Sequence, residues 1–263
     1  MQRIGAWTPI TKKGRKGTGP SFRWLLVMVP AILAGCEDDG DPTTPSPGQE
    51  VTVELDFTDP TTGDADGWDA DFAHFSPQQE EIMEFAWGHE PLPDDLEGEG
   101  YGLMVGATNR SDDVFMYWTG PVEGLEPNTE YDVRFTVEFA TDSPAGCVGI
   151  GGPPGESVWV KTGATLVRPE PVLEDDYWLM SIDKGNQSMG GEDAIIVGDV
   201  ANAESGCHAD ERVWELKTLE SEDPFFFSTD DQGRGWLLVG TDSGFEGRTV
   251  LFYTRLTAEF SPA

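Results

Sequence analysis

The sequence predicts an all-β fold for residues 51–263, an antiparallel, jelly-roll-like β-sandwich that forms a single domain. Three segments, 51–57, 131–139 and 250–260, alternate apolar and polar side chains with a period of two. Such alternation is typical of strands that place one face on a core and the other in water. Only 78–86 suggests a helical turn or two, and no segment carries the apolar repeat of a long crossover helix.

In chain order, the first strand carries Val51, Val53, Leu55 and Phe57 on its buried face. A central strand, 131–139, places its apolar residues at every second position, and the strand at 250–260 shows a similar alternation. Clusters of Gly, Pro, Asn and Asp lie between the segments and suit turns. Further strands are expected at 101–107, 114–119, 157–162, 177–182, 194–200, 212–218 and 235–240.

The strand at 114–119 is apolar on both faces. A strand of a two-layer sandwich needs only one apolar face. Either Phe115 and Tyr117 or the alternate residues Val114, Met116 and Trp118 must therefore leave the main core or meet a second layer.

The first 35 residues predict an export signal. They contain six basic residues and no acid, and Arg23 is followed by twelve uncharged residues up to Gly35. As a helix, that run would span about 18 Å, which is too short for a hydrocarbon core of about 30 Å. The pattern is that of a cleaved secretory signal peptide.

The end of this leader, Leu33-Ala34-Gly35-Cys36, resembles the lipobox of bacterial lipoproteins. The resemblance implies that Cys36 becomes the lipidated first residue, with acyl chains such as palmitate that anchor it stably to a membrane. Residues 36–50, rich in acids and proline, are then expected to form a disordered tether. The implied location is the bacterial cell envelope, at the outer membrane or cell surface rather than the inner membrane. An ordinary secreted protein with a chance cysteine at the cleavage site is the alternative.

Beyond the leader, ten basic residues face 49 acidic ones. So acidic a body repels phosphate backbones, which argues against nucleic acid as a partner. Only three lysines remain there, a composition similar to that of proteins adapted to high salt, where screening weakens charge repulsion.

Two segments resemble parts of jelly-roll carbohydrate-binding modules. One is Gly124 to Tyr131, a proline turn leading into a central strand, and the other is Trp236 to Phe260, two strands around a glycine-rich turn. The resemblance implies a sandwich fold and leaves the ligand open.

With Cys36 assigned to lipid, Cys147 and Cys207 remain. An even pair in an exported protein predicts one disulfide, with free buried thiols as the alternative.

Signatures of catalysis are few. The three histidines form no metal-ligand pattern, and the glycine-rich 149–155 lacks the lysine and the helix of a phosphate loop. Calcium is a better candidate cofactor, because Asp64, Asp66, Asp69 and Asp71 place four carboxylates around one glycine. A solvated acidic loop explains the same pattern.

The candidate glycan site rests on strand 157–162. If Val158 and Val160 face the core, Trp159 and Lys161 face outward, and sugars stack on exposed indoles. The polar groups expected to bond hydroxyls nearby are Asp183, Lys184, Asn186 and Gln187. Alternatively, a loop covers Trp159 and the 183–188 stretch is a turn that bonds to itself.

These observations predict a lipid-anchored, non-catalytic envelope protein that binds glycan. A structural or protein-interaction lipoprotein is the first alternative, and a polysaccharide-active enzyme is the second. An exposed aromatic platform would favour glycan binding, whereas a cleft with two facing carboxylates of perturbed pKa would favour the enzyme.

Overall fold

The computed structural model describes residues 48–96 and 100–263. The predicted leader, Cys36 and most of the predicted tether therefore lie outside the described residues. Among the described residues, no helix is both long and apolar enough to span a membrane.

The predicted antiparallel β-sandwich is confirmed. Two 3₁₀ helices, Pro77–Met83 and Ala209–Glu211, interrupt the strands. The strands in order are β1 (Val51–Asp56), β2 (Asp69–Ala73), β3 (Ala86–Pro91), β4 (Tyr101–Thr108), β5 (Val114–Val122), β6 (Glu130–Thr141), β7 (Val158–Thr165), β8 (Pro171–Glu174), β9 (Tyr177–Met180), β10 (Ile195–Asp199), β11 (Glu215–Glu220), β12 (Phe225–Ser228), β13 (Gly235–Ser243) and β14 (Arg248–Pro262).

The two large sheets are antiparallel throughout. One runs β11-β6-β14-β4-β3, with β1 added to β14 and β12 added to β6. The other runs β10-β7-β13-β5-β2, and β8 and β9 form a separate hairpin. The long partners β6 and β14 centre the first sheet, with Val137 opposite Leu256 and Val133 opposite Phe260.

The core lies between the sheets and contains the side chains that the alternation predicts. Val133, Phe135 and Val137 of β6 join Val158 and Val160 of β7 in one hydrophobic cluster. On β5, the residues Val114, Met116 and Trp118 belong to this main core. Phe115 and Tyr117 point to the opposite face and are buried in a second cluster, as the apolar pattern of this strand requires.

Four strands lie outside the predicted segments. β2 follows the acidic stretch, where Asp69 and Asp71 alternate with Ala70 and Phe72. β3 and β8 are short and half-buried, so their alternation is weak. In β12, Phe225 and Phe227 are buried in the core and Phe226 is exposed. Because all three residues are phenylalanine, the sequence shows no apolar–polar alternation there.

The predicted disulfide between Cys147 and Cys207 is confirmed. Their Cα atoms are 5.6 Å apart, and the bond joins the loop after β6 to the loop after β10 across 60 residues of sequence. Closing a loop of that size in the unfolded chain corresponds to about 4 kcal/mol of stabilisation.

Candidate functional site

One long connection covers the outer face of the five-stranded sheet. We call residues 166–194, which include β8 and β9, the covering segment. Its Ile182 and Ala194 pack on Phe115, Tyr117 and Leu238 of the sheet beneath. This packing forms the second layer that hides the outer face of β5.

The backbone of the covering segment lies directly against the sheet. A Cβ atom at Gly163 of β7 would collide with the carbonyl oxygen of Asp193. Only glycine therefore allows this approach. At the other end, the hydroxyl group of Tyr117 donates to the carbonyl oxygen of Pro169 over 3.4 Å.

A buried carboxylate fastens the middle of the covering segment. Asp242 of β13 is fully buried, and its Oδ2 accepts from Lys161 Nζ at 2.7 Å and from Lys184 Nζ at 2.7 Å. The backbone N–H of Gln187 donates to the same oxygen at 2.8 Å. Lys184 and Gln187 belong to the covering segment and Lys161 to β7, so Asp242 links three parts of the chain.

Lys161 completes the link through the backbone. Its Nζ, besides contacting Asp242, donates to the carbonyl oxygens of Lys184 at 2.8 Å and Met189 at 2.9 Å. The Lys184 ammonium also lies over the ring of Phe115, 5.2 Å from the ring centroid. A cation in such a position is attracted by the face of the ring.

The cluster continues toward solvent through Asp113 and His74. His74 Nδ1 lies 2.8 Å from Asp113 Oδ2, with side chains 16% and 20% exposed. The carboxyl groups of Asp113 and Asp242 lie within hydrogen-bonding reach of each other. Asp113 Oδ1 and Asp242 Oδ1 are both buried and have no other partner among the described residues. One proton between the two carboxyl groups would satisfy both oxygens.

Burial and charge move the pKa values of the two aspartates apart. Burial raises the pKa of Asp242, and the lysine charges only partly offset it. Burial would also raise the pKa of Asp113, but hydrogen bonds with His74 and Asp242 and the charge of Lys184 lower it from 3.8 to about 2. Ionised Asp113 therefore stabilises the fold above pH 3.8, and this contribution is lost as the pH falls toward about 2.

The predicted exposure of Lys161 is wrong. The side chain leaves the main core as the alternation predicts, but the covering segment encloses it completely, so it is 0% exposed. Lys184 is likewise buried and 2% exposed. Both ammonium groups are used to neutralise Asp242, and neither is available to a ligand.

The other predicted glycan-binding residues lie at the surface. Asp183 and Asn186 are exposed, and Gln187 is half-buried. The Asp183 carboxylate accepts from the N–H groups of Gly185 and Glu192, which lower its pKa, so it mainly shapes its own turn. The Gln187 side chain lies beside Gly244 and donates to the carbonyl oxygen of Asp112 at 3.2 Å.

Trp159 is half-buried and lies on the outer face of the same sheet. Its register partners are Asp242 on β13 and Asp199 on β10. Asp242 is therefore both the register partner of Trp159 and the acceptor of the backbone N–H of Gln187. Among the described tryptophans, Trp159 and Trp236 belong to none of the hydrophobic clusters. Trp236 is covered by the guanidinium group of Arg168, whose Cζ lies 5.4 Å from the ring centroid.

The four aspartates of the predicted calcium site do not come together. Asp64 accepts from the backbone N–H of Asp56 at 2.9 Å, and Asp69 pairs with Arg168 at 2.7 Å. Asp69 and Asp71 lie on the same face of β2, whereas Asp66 lies in the preceding turn. Residues 48–96 and 100–263 contain no group of three or more side chains placed to hold a metal. Calcium binding stays a prediction.

Sequence patterns did not reveal His74, Asp113 or Asp242 as members of one cluster. The glycine-rich stretch from Gly240 predicts a turn, but β13 continues to Ser243 and carries Asp242 into the buried face. The one available signal was the scarcity of lysine, because all three lysines beyond the leader have a carboxylate partner.

No protein-family model and no curated protein matches the sequence. Solved structures similar to this chain include TmCBM27, a carbohydrate-binding module described for mannan recognition. It is 14% identical over 80% of this chain and 98% of that chain, with a TM-score of 0.35. CBM28, described as specific for non-crystalline cellulose, is 12% identical over 72% of this chain and 84% of that chain, with a TM-score of 0.34.

The enzymatically active domain of tailspike protein 4 from bacteriophage CBA120 also matches. It is 8% identical over 75% of this chain, with a TM-score of 0.32, and the match spans only 20% of the tailspike chain. Similarity at these levels carries no argument about a ligand or a reaction.

The buried cluster predicts unequal effects for two aspartate substitutions. Asp242→Ala leaves two ammonium groups buried without their carboxylate, which is expected to cost about 3–5 kcal/mol of unfolding free energy. Asp199→Ala is the matched control, because the Asp199–Lys217 pair at 2.9 Å is partly exposed and is expected to contribute about 1 kcal/mol or less. Urea denaturation measures both, and equal small losses would contradict the structural role of Asp242.

Proposed function

We propose that this chain is a lipid-anchored, non-catalytic protein of the bacterial cell envelope that binds glycan. The half-buried indole of Trp159 carries the proposal, because it is partly exposed on the outer face of the sheet, opposite Asp242. The proposed location is the outer membrane or the cell surface.

The chemistry around Trp159 suits a sugar. An indole offers its face to the C–H groups of a pyranose ring, while nearby amides and carboxylates bond hydroxyl groups. Gln187 supplies a half-buried side-chain amide beside Gly244, Asn186 supplies an exposed one, and Ser157 supplies a hydroxyl group two residues before Trp159. Asn186 and Gln187 belong to the predicted ligand set, Ser157 is added to it, and the two buried lysines are removed from it.

The burial of Asp242 supports a non-catalytic role. Asp113 and Asp242 are facing carboxyl groups with pKa values shifted in opposite directions, as an acid–base pair would need. A glycosidase, however, must place both groups against the scissile bond of the sugar. The side chain of Asp242 is 0% exposed and bonded to two lysines, so an external sugar does not reach it.

A protein-interaction role is the second candidate, and a different surface favours it. The loop closed by the disulfide presents Val148, which is fully exposed, and Ile150, which is 71% exposed. The N–H of Glu246 donates to the carbonyl oxygen of Ile150 at 2.8 Å, so the loop is held against the sandwich. Exposed apolar side chains on a fastened loop are a recurrent feature of protein contacts.

Trp159→Ala is expected to weaken glycan binding about tenfold or more, since one stacked ring contributes about 1–2 kcal/mol. Unfolding free energy should change little, because Trp159 is outside the hydrophobic clusters. The detergent-solubilised protein is screened on a glycan array, and each hit is titrated by calorimetry. Phe226→Ala is the matched control, because Phe226 is 75% exposed on β12, a strand of the other sheet.

Two results of this screen would contradict glycan binding at Trp159. One is the absence of any glycan hit for the unsubstituted protein. The other is a hit whose affinity is the same in Trp159→Ala as in the Phe226→Ala control.

Cys36→Ser is expected to release the protein from membranes. The basis is the Leu33-Ala34-Gly35-Cys36 pattern, since lipidation requires the thiol of Cys36. Membrane fractionation and metabolic labelling with palmitate measure the effect. A substituted protein that still sediments with membranes would show that the anchor lies elsewhere.

A further inference from the structure

The Lys161 amine and the Asp242 carboxyl group form a reactive pair that solvent does not reach. Lys161 Nζ lies 2.7 Å from Asp242 Oδ2, and both side chains are 0% exposed. An external substrate cannot enter, so the only reaction open to the amine is with the carboxyl group it touches.

We propose that Lys161 Nζ and Asp242 Cγ become joined by an intramolecular amide bond that forms after folding and fastens β7 to β13. The two strands are already neighbours, with Trp159 opposite Asp242 and Lys161 opposite Gly240. The bond therefore needs no rearrangement of the sheet.

The surroundings of Lys161 favour a neutral, nucleophilic amine. Burial lowers the pKa of Lys161 and outweighs the charge and hydrogen bond of Asp242, which act to raise it, while the neighbouring charge of Lys184 adds to the lowering. A neutral amine has two N–H groups and one lone pair. In the structure Nζ donates to the carbonyl oxygens of Lys184 and Met189 and to Asp242 Oδ2. Loss of the proton shared with Asp242 leaves the two N–H groups on the carbonyl oxygens and frees the lone pair on the side of Asp242.

The surroundings of Asp242 favour an electrophilic carboxyl group. Burial raises its pKa, which favours the acid form, and the acid proton fits between Asp242 Oδ1 and Asp113 Oδ1, the two oxygens without another partner. At Oδ2, Lys184 Nζ at 2.7 Å and the N–H of Gln187 at 2.8 Å would stabilise the negative charge of a tetrahedral intermediate.

The atoms of this reaction balance without any co-reactant. The lone pair of Lys161 Nζ attacks Asp242 Cγ, and the carbonyl electron pair moves to Oδ2. Asp113 accepts one proton from Nζ and delivers it to the Oδ1 hydroxyl group. The Cγ–Oδ1 bond then breaks, Oδ1 leaves as water, and an amide remains.

Lys184 also touches Asp242 but is the weaker candidate nucleophile. Its Nζ lies 5.2 Å from the centroid of the Phe115 ring, and this cation–π contact would be lost if Lys184 formed the amide. A matched pair without this chemistry is Lys217 and Asp199, 2.9 Å apart but 24% and 34% exposed. Both groups are partly exposed to solvent, so no amide is expected there.

Mass spectrometry of a tryptic digest of the reduced, full-length protein tests the bond. Trypsin cuts after unmodified lysine or arginine but not before proline, as at Arg168. The expected product is peptide 135–184, uncut at Lys161, joined to peptide 235–248 and lighter than their sum by one water. Cleavage at Lys217 is the internal control.

Two digestion results would overturn the proposal. One is recovery of peptides 135–161 and 235–248 separately, at their unmodified masses. The other is a product cut at Lys161 and uncut at Lys184, which would show that the amide bond is on Lys184 and not on Lys161.

The role of Asp113 is tested separately with Asp113→Ala. This variant should lose at least nine-tenths of the joined peptide, since it lacks the group that transfers the proton. Its disulfide and circular dichroism establish that the sandwich still forms. Undiminished joining in the folded variant would overturn the role assigned to Asp113.

Discussion

The interaction on which the site depends is the fully buried carboxyl group of Asp242, held by Lys161 and Lys184. Removing such a group from water costs several kcal/mol unless it is paired and hydrogen-bonded, so the sheet and the covering segment must stay together to satisfy it. The apolar contact beneath the segment is small and centres on Phe115 and Tyr117. A few apolar side chains resist separation of the covering segment from the sheet but allow it to slide. The hydrogen bonds of Asp242 have a fixed geometry, so they hold the covering segment in one position.

Covering the sheet limits which of its outer-face residues meet solvent. Ile182 and its neighbours occupy the outer face over Phe115, Tyr117 and Leu238, whereas Trp159 stays partly exposed. The same covering removes Asp242 from solvent, which separates its pKa from that of Asp113 without offering the pair to a substrate. The burial of Asp242 therefore supports the two proposals, glycan binding at Trp159 and an amide bond between Lys161 and Asp242.

The strands with clean alternation were predictable, because a half-buried strand such as β6 records its environment in every second residue. The two apolar faces of β5 predicted a second layer. The identity of that layer was not predictable, because β8 and β9 are short and half-buried and carry little pattern. For the same reason the sequence pattern places Lys161 in solvent. Alternation shows which side of a strand a residue occupies, and a segment distant in sequence decides whether that side is exposed to solvent.

Native-state hydrogen exchange tests the central claim that Asp242 fastens the covering segment to the sheet. The amide of Gln187, which donates to Asp242 at 2.8 Å, should exchange as slowly as the amides of β7 and β13. The amide of Gln232 is the reference for a bond within an exposed turn, where it donates to Asp230 at 2.8 Å. Exchange at Gln187 as fast as at Gln232 would contradict the claim.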